Sequence, residues 1–142
     1  MRRLGRRRDE RGSATAELVL LTPLLILFLL FVVALGRLAG ARINVDGAAA
    51  QAARAASIAG SPAAATAAAH QTASAALGTS HVTCAHLGVA VDTAEFVPGG
   101  SVAVTVSCAV DLSTLTGLHL PVSETLSDRF VEPIDTYRSI SG

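Results

Sequence analysis

The stretch GSATAELVLLTPLLILFLLFVVAL, residues 12–35, decides the fold. From Leu18 to Leu35 it runs eighteen residues without a charge, with Thr22 as its one polar side chain. A helix of that length rises about 27 Å at 1.5 Å per residue, close to the roughly 30 Å hydrocarbon core of a bilayer. Arg37, just beyond, reaches the interface with its guanidinium and lets the span continue to Ala39. The segment reads as a membrane helix. Immediately before it stands Glu17, an acid that serves no anchoring purpose.

Charge is distributed to match. The formal net charge is zero, but Arg2, Arg3, Arg6, Arg7, Arg8 and Arg11 against Asp9 and Glu10 give residues 1–12 a charge of +4. The remaining five arginines and nine acids sum to −4. Cations concentrated before the span keep that end in the cytoplasm and send everything after about residue 40 outward. A basic cluster beside a membrane segment, with no basic patch or interleaved aromatics elsewhere, argues against a nucleic-acid partner.

Beyond the span the chain turns to alanine, seventeen of the thirty residues from Ala48 to Leu77. Ser61 as N-cap, Pro62 at the first helical position and Gly78 past Leu77 predict two helices, one through about Ala59 and one over Pro62–Leu77. Gly47 is a point where the first of them can flex. After Gly78 the period becomes two. In SVAVTVSCAVDL, residues 101–112, valines, Cys108 and Leu112 alternate with small and polar residues, as in a half-buried strand. LGVAVD, residues 87–92, is its expected partner, with the Pro and Gly of FVPGG, residues 96–100, turning the chain between them. An earlier short strand carries Val82 and Cys84, and a last extended piece, residues 119–130, ends before Pro133 with Glu124 and Asp128 interrupting its apolar stripe.

Cys84 and Cys108 both lie in the exported half, where an oxidising compartment preserves disulfides. Joining them closes a loop of 25 residues, worth about 3 kcal/mol in the chain-entropy account. The fold expected is α+β: an N-terminal transmembrane helix extended by alanine-rich helices, then a small antiparallel β ectodomain with one disulfide. Its parts are a cytoplasmic basic leader (1–12), the transmembrane helix (13–40), an alanine-rich helical stem (41–79) and the β ectodomain (80–142).

Three readings of residues 1–41 compete. One is a secretory signal cut near Ala39–Ala41, against which stand the length of the apolar run and Arg37. A plain uncut anchor is the second, and it leaves Glu17 unexplained. For the third, a basic leader ends in Gly12, four small or neutral residues follow (Ser13, Ala14, Thr15, Ala16), then Glu17, then an unbroken apolar helix. That arrangement resembles the class III, or type IV, prepilin signal. The resemblance implies that a membrane prepilin peptidase cuts the Gly12–Ser13 bond on the cytoplasmic side and leaves Glu17 as the fifth mature residue. Glycine has no Cβ, so the chain at the cut can lie extended against a protease. Cleavage also removes six arginines, each disfavoured at the bilayer centre by about 2.5–3.5 kcal/mol. It frees an α-amine on Ser13, protonated at neutral pH, as a partner for Glu17 of the same or an adjacent subunit. A paired charge is tolerated in apolar surroundings where a lone one is not, so the pair would set the register of packed helices.

Residues 11–37, RGSATAELVLLTPLLILFLLFVVALGR, with early Pro23, are similar to the TadE-like proteins of tight-adherence (Flp) pilus systems, as is the later INVDGAAAQAARAAS, residues 43–57. Leu18 stands where many members carry an aromatic. The resemblance implies a minor pilin or pseudopilin, single-pass in the cell membrane, whose partners are the membrane, a prepilin peptidase, other pilin or pseudopilin subunits and the assembly platform. It implies a structural role without cofactor. The competing class is an anchored or secreted small binding domain that does not polymerise.

Other signals are weaker. His81, Cys84, His86 and Cys108 can be drawn as a metal site, but strand alternation puts His81 opposite Cys84 and His86, and exported cysteine pairs form disulfides. No metal is expected. His70 reads as a solvated helix position and His119 as loop. No phosphate loop, nucleophile elbow or convergent acid pair is present, so the sequence makes no case for catalysis. Pro23 frees the Val19 carbonyl and either kinks the span or is simply accommodated near its end.

Overall fold

The computed structural model describes residues 10–111, 123–137 and 139. Two helices, α1 (Glu10–Ser57) and α2 (Pro62–Thr79), precede three strands, β1 (Cys84–Asp92), β2 (Ser101–Asp111) and β3 (Ser123–Pro133). The chain divides into two units, Met1–Gly36 and Arg37–Gly142, with the boundary inside α1.

The first unit is apolar helix. Its large side chains from Leu18 to Leu35 are all exposed, from 44% at Val33 to 76% at Leu20. Thr22, the lone polar residue there, donates its hydroxyl to the Leu18 carbonyl at 2.6 Å, the local bond by which a hydroxyl is accommodated without water. The helix continues through Pro23.

In the second unit α1 changes character. Ala41, Val45, Ala48, Ala49, Ala52, Ala53 and Ala56 are buried, a stripe at helical spacing. α2 buries Ala65, Ala69, Ala73 and Leu77, four residues apart. Ser61 caps α2 as expected: its Oγ accepts from the Ala64 N–H at 3.3 Å, with Pro62 at the first turn. The far end departs from expectation. Gly78 does not stop α2, which runs to Thr79. There the Ala76 carbonyl accepts from the hydroxyls of Thr79 and Ser80 at 2.9 and 2.8 Å. The chain turns instead at His81, whose φ of 55° is left-handed. α1 likewise ends at Ser57, two residues before Ala59, and is unbroken at Gly47.

The sheet is antiparallel in the order β1-β2-β3. β2 alternates as its sequence predicts: Val102, Val104, Val106, Cys108 and Val110 are buried. Together with the alanines of both helices, Phe96, Leu126 and Ile134, they form one core. The separate short strand expected at Val82–Cys84 does not exist as such. Cys84 begins β1 itself, and a bulge between Cys84 and His86 shifts the register against β2. The extra residue resets the parity of the strand. Cys84, at an even position, thus packs against the core with Leu87, Val89 and Val91 at odd ones, while His86 is exposed. The pairing of Cys84 and His86 on one side is corrected accordingly.

Residues 93–100 make a tight reversal around buried Phe96, with the Val97 N–H bonded to the Glu95 carbonyl at 2.8 Å and the Gly100 N–H to that of Val97 at 2.8 Å. Gly99 has φ +76°, and a Cβ at Gly100 would collide with the Glu95 carbonyl, so both glycines are dictated by the turn. β3 runs through Pro133 rather than ending before it, a position an edge strand tolerates because Pro lacks only a ladder donor. Residues 119–122 of the expected last strand, and His119 with them, lie outside the described residues.

The alanine stripe works by volume. Ala52 is fully buried, so Ala52→Leu forces extra methylenes into a closed site and should destabilise the protein by about 1–3 kcal/mol. Thermal unfolding of that variant beside Ala63→Leu, at an exposed α2 position, should show a lowered midpoint only for the first.

Candidate assembly site

The candidate site is the start of α1. Gly12 and Ser13 stand in its first helical residues rather than in extended chain. N–H groups at a helix start lack intrahelical partners, so opening this turn for a protease disrupts few bonds. Ser13 and Glu17 are four residues apart, about 6 Å along the axis, which places both positions on one helix face. Glu17 is exposed and, among the described residues, makes no hydrogen bond or ion pair. Past it, eighteen residues offer no hydrophilic face. Each large aliphatic left in water forgoes roughly 1.5–3 kcal/mol of burial, so this surface calls for lipid or other helices. By length and composition the helix is apolar enough to cross a membrane.

The second unit contributes a framework. Cys84 and Cys108 are bonded, Cα to Cα 5.3 Å, and Cys108 is fully buried. Both thiols are thereby used, and among the described residues no three His, Cys, Asp or Glu side chains converge as metal ligands. His70 and His81 are exposed.

Two ion pairs were not anticipated from the sequence. Arg54 Nε of α1 lies 3.3 Å from Glu132 Oε1 of β3, the glutamate side chain being only 21% exposed. Glu132 shares even parity with Leu126, Phe130 and buried Ile134, so this acid lies on the core-facing side of an edge strand. On the opposite face Arg129 Nη2 meets Asp92 Oδ2 at 3.6 Å. Each pair links partners too far apart in sequence for spacing to reveal, though an acid within an apolar stripe was the available signal for the first. The Asp92–Arg129 pair is open to solvent on both sides and worth little.

Comparison with known proteins adds a similarity of the N-terminal segment. Residues 12–54 match the family model described as TadE-like protein. The N-terminal segment is TadE-like. The likeness covers 43 of the 142 residues and is to a family that is generally structural. The TadE-like match covers the cleavage and assembly candidates Gly12, Ser13 and Glu17, all of the apolar run and α1 as far as Arg54, and leaves α2 and the sheet outside it. No curated protein and no solved structure matches the chain.

The disulfide gives a direct check. Non-reducing peptide mapping of exported protein should recover one Cys84–Cys108 linked pair, and two free thiols would count against this framework. Replacing both cysteines with alanine should lower stability by about 2–5 kcal/mol in denaturant unfolding.

Proposed function

We propose that this TadE-like chain is a minor pilin or pseudopilin, a structural subunit in assembling a tight-adherence (Flp, type IV-like) pilus or secretion filament. A prepilin peptidase removes residues 1–12 by cutting after Gly12. The span 13–40 then holds the protein in the cell membrane, single-pass, with residues 41–79 and 80–142 as extracytoplasmic stem and β ectodomain. The new Ser13 amine and Glu17 form the pair that sets how the helix packs beside other pilin subunits and the assembly platform. The observation that carries this reading is Glu17, exposed and unpartnered among the described residues, at the head of an all-round apolar helix within the TadE-like match. A carboxylate there is disfavoured in lipid unless a cation meets it. The orientation rests on the six arginines before the span.

An anchored binding domain that never polymerises is the second reading, favoured by a sheet that lies outside the family match. Mapping the mature N-terminus by mass spectrometry separates the two. A start at Ser13 supports prepilin processing; a start at Arg42 or Ile43 marks a conventional signal, and an intact Met1 a plain anchor.

Assembly is tested at Glu17. The Glu17→Ala variant should be cleaved normally yet enter the filament poorly, read as the fraction recovered in sheared surface material. Wild-type incorporation by this variant would remove the pairing argument.

A further inference from the structure

Cys84 and Cys108 share one bond but stand in different surroundings. Cys108 lies well inside β2, paired with Leu87 of β1 on one side and Leu126 of β3 on the other, and is fully buried. Cys84 is half-buried and opens β1. Before it, Ser80, His81 and Val82 spend their backbone N–H groups on the end of α2, on the Ala76, Gly78 and Leu77 carbonyls at 3.2, 3.4 and 3.3 Å. After it the register against β2 shifts through a bulge, and Ala85 and His86 are both exposed. A bulge disrupts the ladder locally, so parting Cys84 from β2 breaks few strand bonds, whereas baring Cys108 means separating β2 from its neighbours. Openings of the first kind lie well below global unfolding in free energy.

Disulfides exchange when a thiolate attacks one of the two sulfurs, and access helps decide which. We propose that Cys84 is an exchange site on the folded chain, at which a thiol–disulfide oxidoreductase of the exported compartment makes and breaks the Cys84–Cys108 bond. To close it, the Cys84 thiolate attacks the enzyme's disulfide, giving a mixed disulfide and one free enzyme thiolate. The Cys108 thiolate then attacks Cys84 Sγ and releases the second enzyme sulfur. Two electrons pass to the enzyme, which leaves as a dithiol with the equivalent of the two protons that the cysteines lose. Opening is the reverse, with Cys108 as the leaving sulfur; once protonated it stays in the core as a small apolar side chain. The sheet holds together in both directions, so the bond can be set after the fold is in place. The choice of partner rests on the reading of residues 80–142 as exported, and the site itself does not.

The test uses the full wild-type chain in detergent micelles, with glutathione and dithiothreitol as probes. After brief treatment of the oxidised protein with reduced glutathione and an acid quench, peptide mapping should place the glutathione adduct on Cys84 over Cys108 by roughly ten to one or more, the ratio for openings that differ by about 1.4 kcal/mol. Reduction by dithiothreitol should rise in proportion to its concentration and stay nearly constant in urea below the unfolding transition. Adducts shared equally between the two cysteines, or a reduction rate that levels off at the rate of global unfolding, would each overturn the exchange site and leave export untouched. Protein drawn from cells with both thiols free, while the purified chain exchanges at Cys84, would instead overturn the export on which the partner rests.

Discussion

A helix that is apolar around its whole circumference has no stable place in water, and this single constraint organises the protein. Leu18–Leu35 presents leucine, isoleucine, phenylalanine and valine in every direction, and the described chain folds nothing over them. Such a helix is stable either in a large core or surrounded by lipid, and by length and composition this one is apolar enough to cross a membrane. What remains polar within reach therefore acquires meaning. Thr22 is satisfied by the backbone carbonyl of Leu18, whereas Glu17 has no such partner among the described residues.

The same helix solves the opposite problem beyond Gly36. There its buried stripe is almost entirely alanine, broken only by Val45, and the residues facing away include Arg42, Asp46 and Arg54, all exposed. Alanine contributes little apolar area per residue, but it lets backbones approach closely. The larger contributions come from the sheet, where five alternating β2 side chains from Val102 to Val110 are buried against that smooth surface. A core this sparse benefits from a cross-link, and the disulfide fastens β1 to β2 beside the bulge, where ladder pairing is weakest.

How much of this was legible depended on the length scale of the signal. The span, the Ser61–Pro62 helix start, the β2 alternation and the Cys84–Cys108 pair were readable because each is carried by consecutive residues or by a compartment argument with two cysteines to place. Features that need one extra residue or a distant partner were not. The bulge after Cys84 made one strand look like two, since a parity change is indistinguishable from a strand break in sequence alone. Gly78 resembled a helix stop, yet side-chain hydroxyls from Thr79 and Ser80 closed the last turn and moved the left-handed residue to His81. In β3, Glu124 and Asp128 looked like interruptions of an apolar stripe, while Glu132, beyond the stretch read as extended, is accounted for on the core side by the approach of Arg54 from α1. Residues 112–122, between β2 and β3, lie outside the described chain and add nothing to this comparison.

The family match ends at Arg54, and that boundary has structural sense. It contains both halves of α1: the exposed apolar run with its leading acid, and most of the alanine stripe that a folded unit needs as a floor. Any sheet laid on such a floor must present a flat row of short branched side chains, because alanines leave no deep grooves for long ones to enter. The alternating valines of β2 meet that requirement. Edge strands have more freedom, and β3 uses it by turning an acid inward where Arg54 emerges from the last turns of the helix. The helix thus dictates the inner face of the sheet through shape, and its end through charge, while leaving the outer face, with Asp92, Thr105 and Arg129, free of any demand from α1.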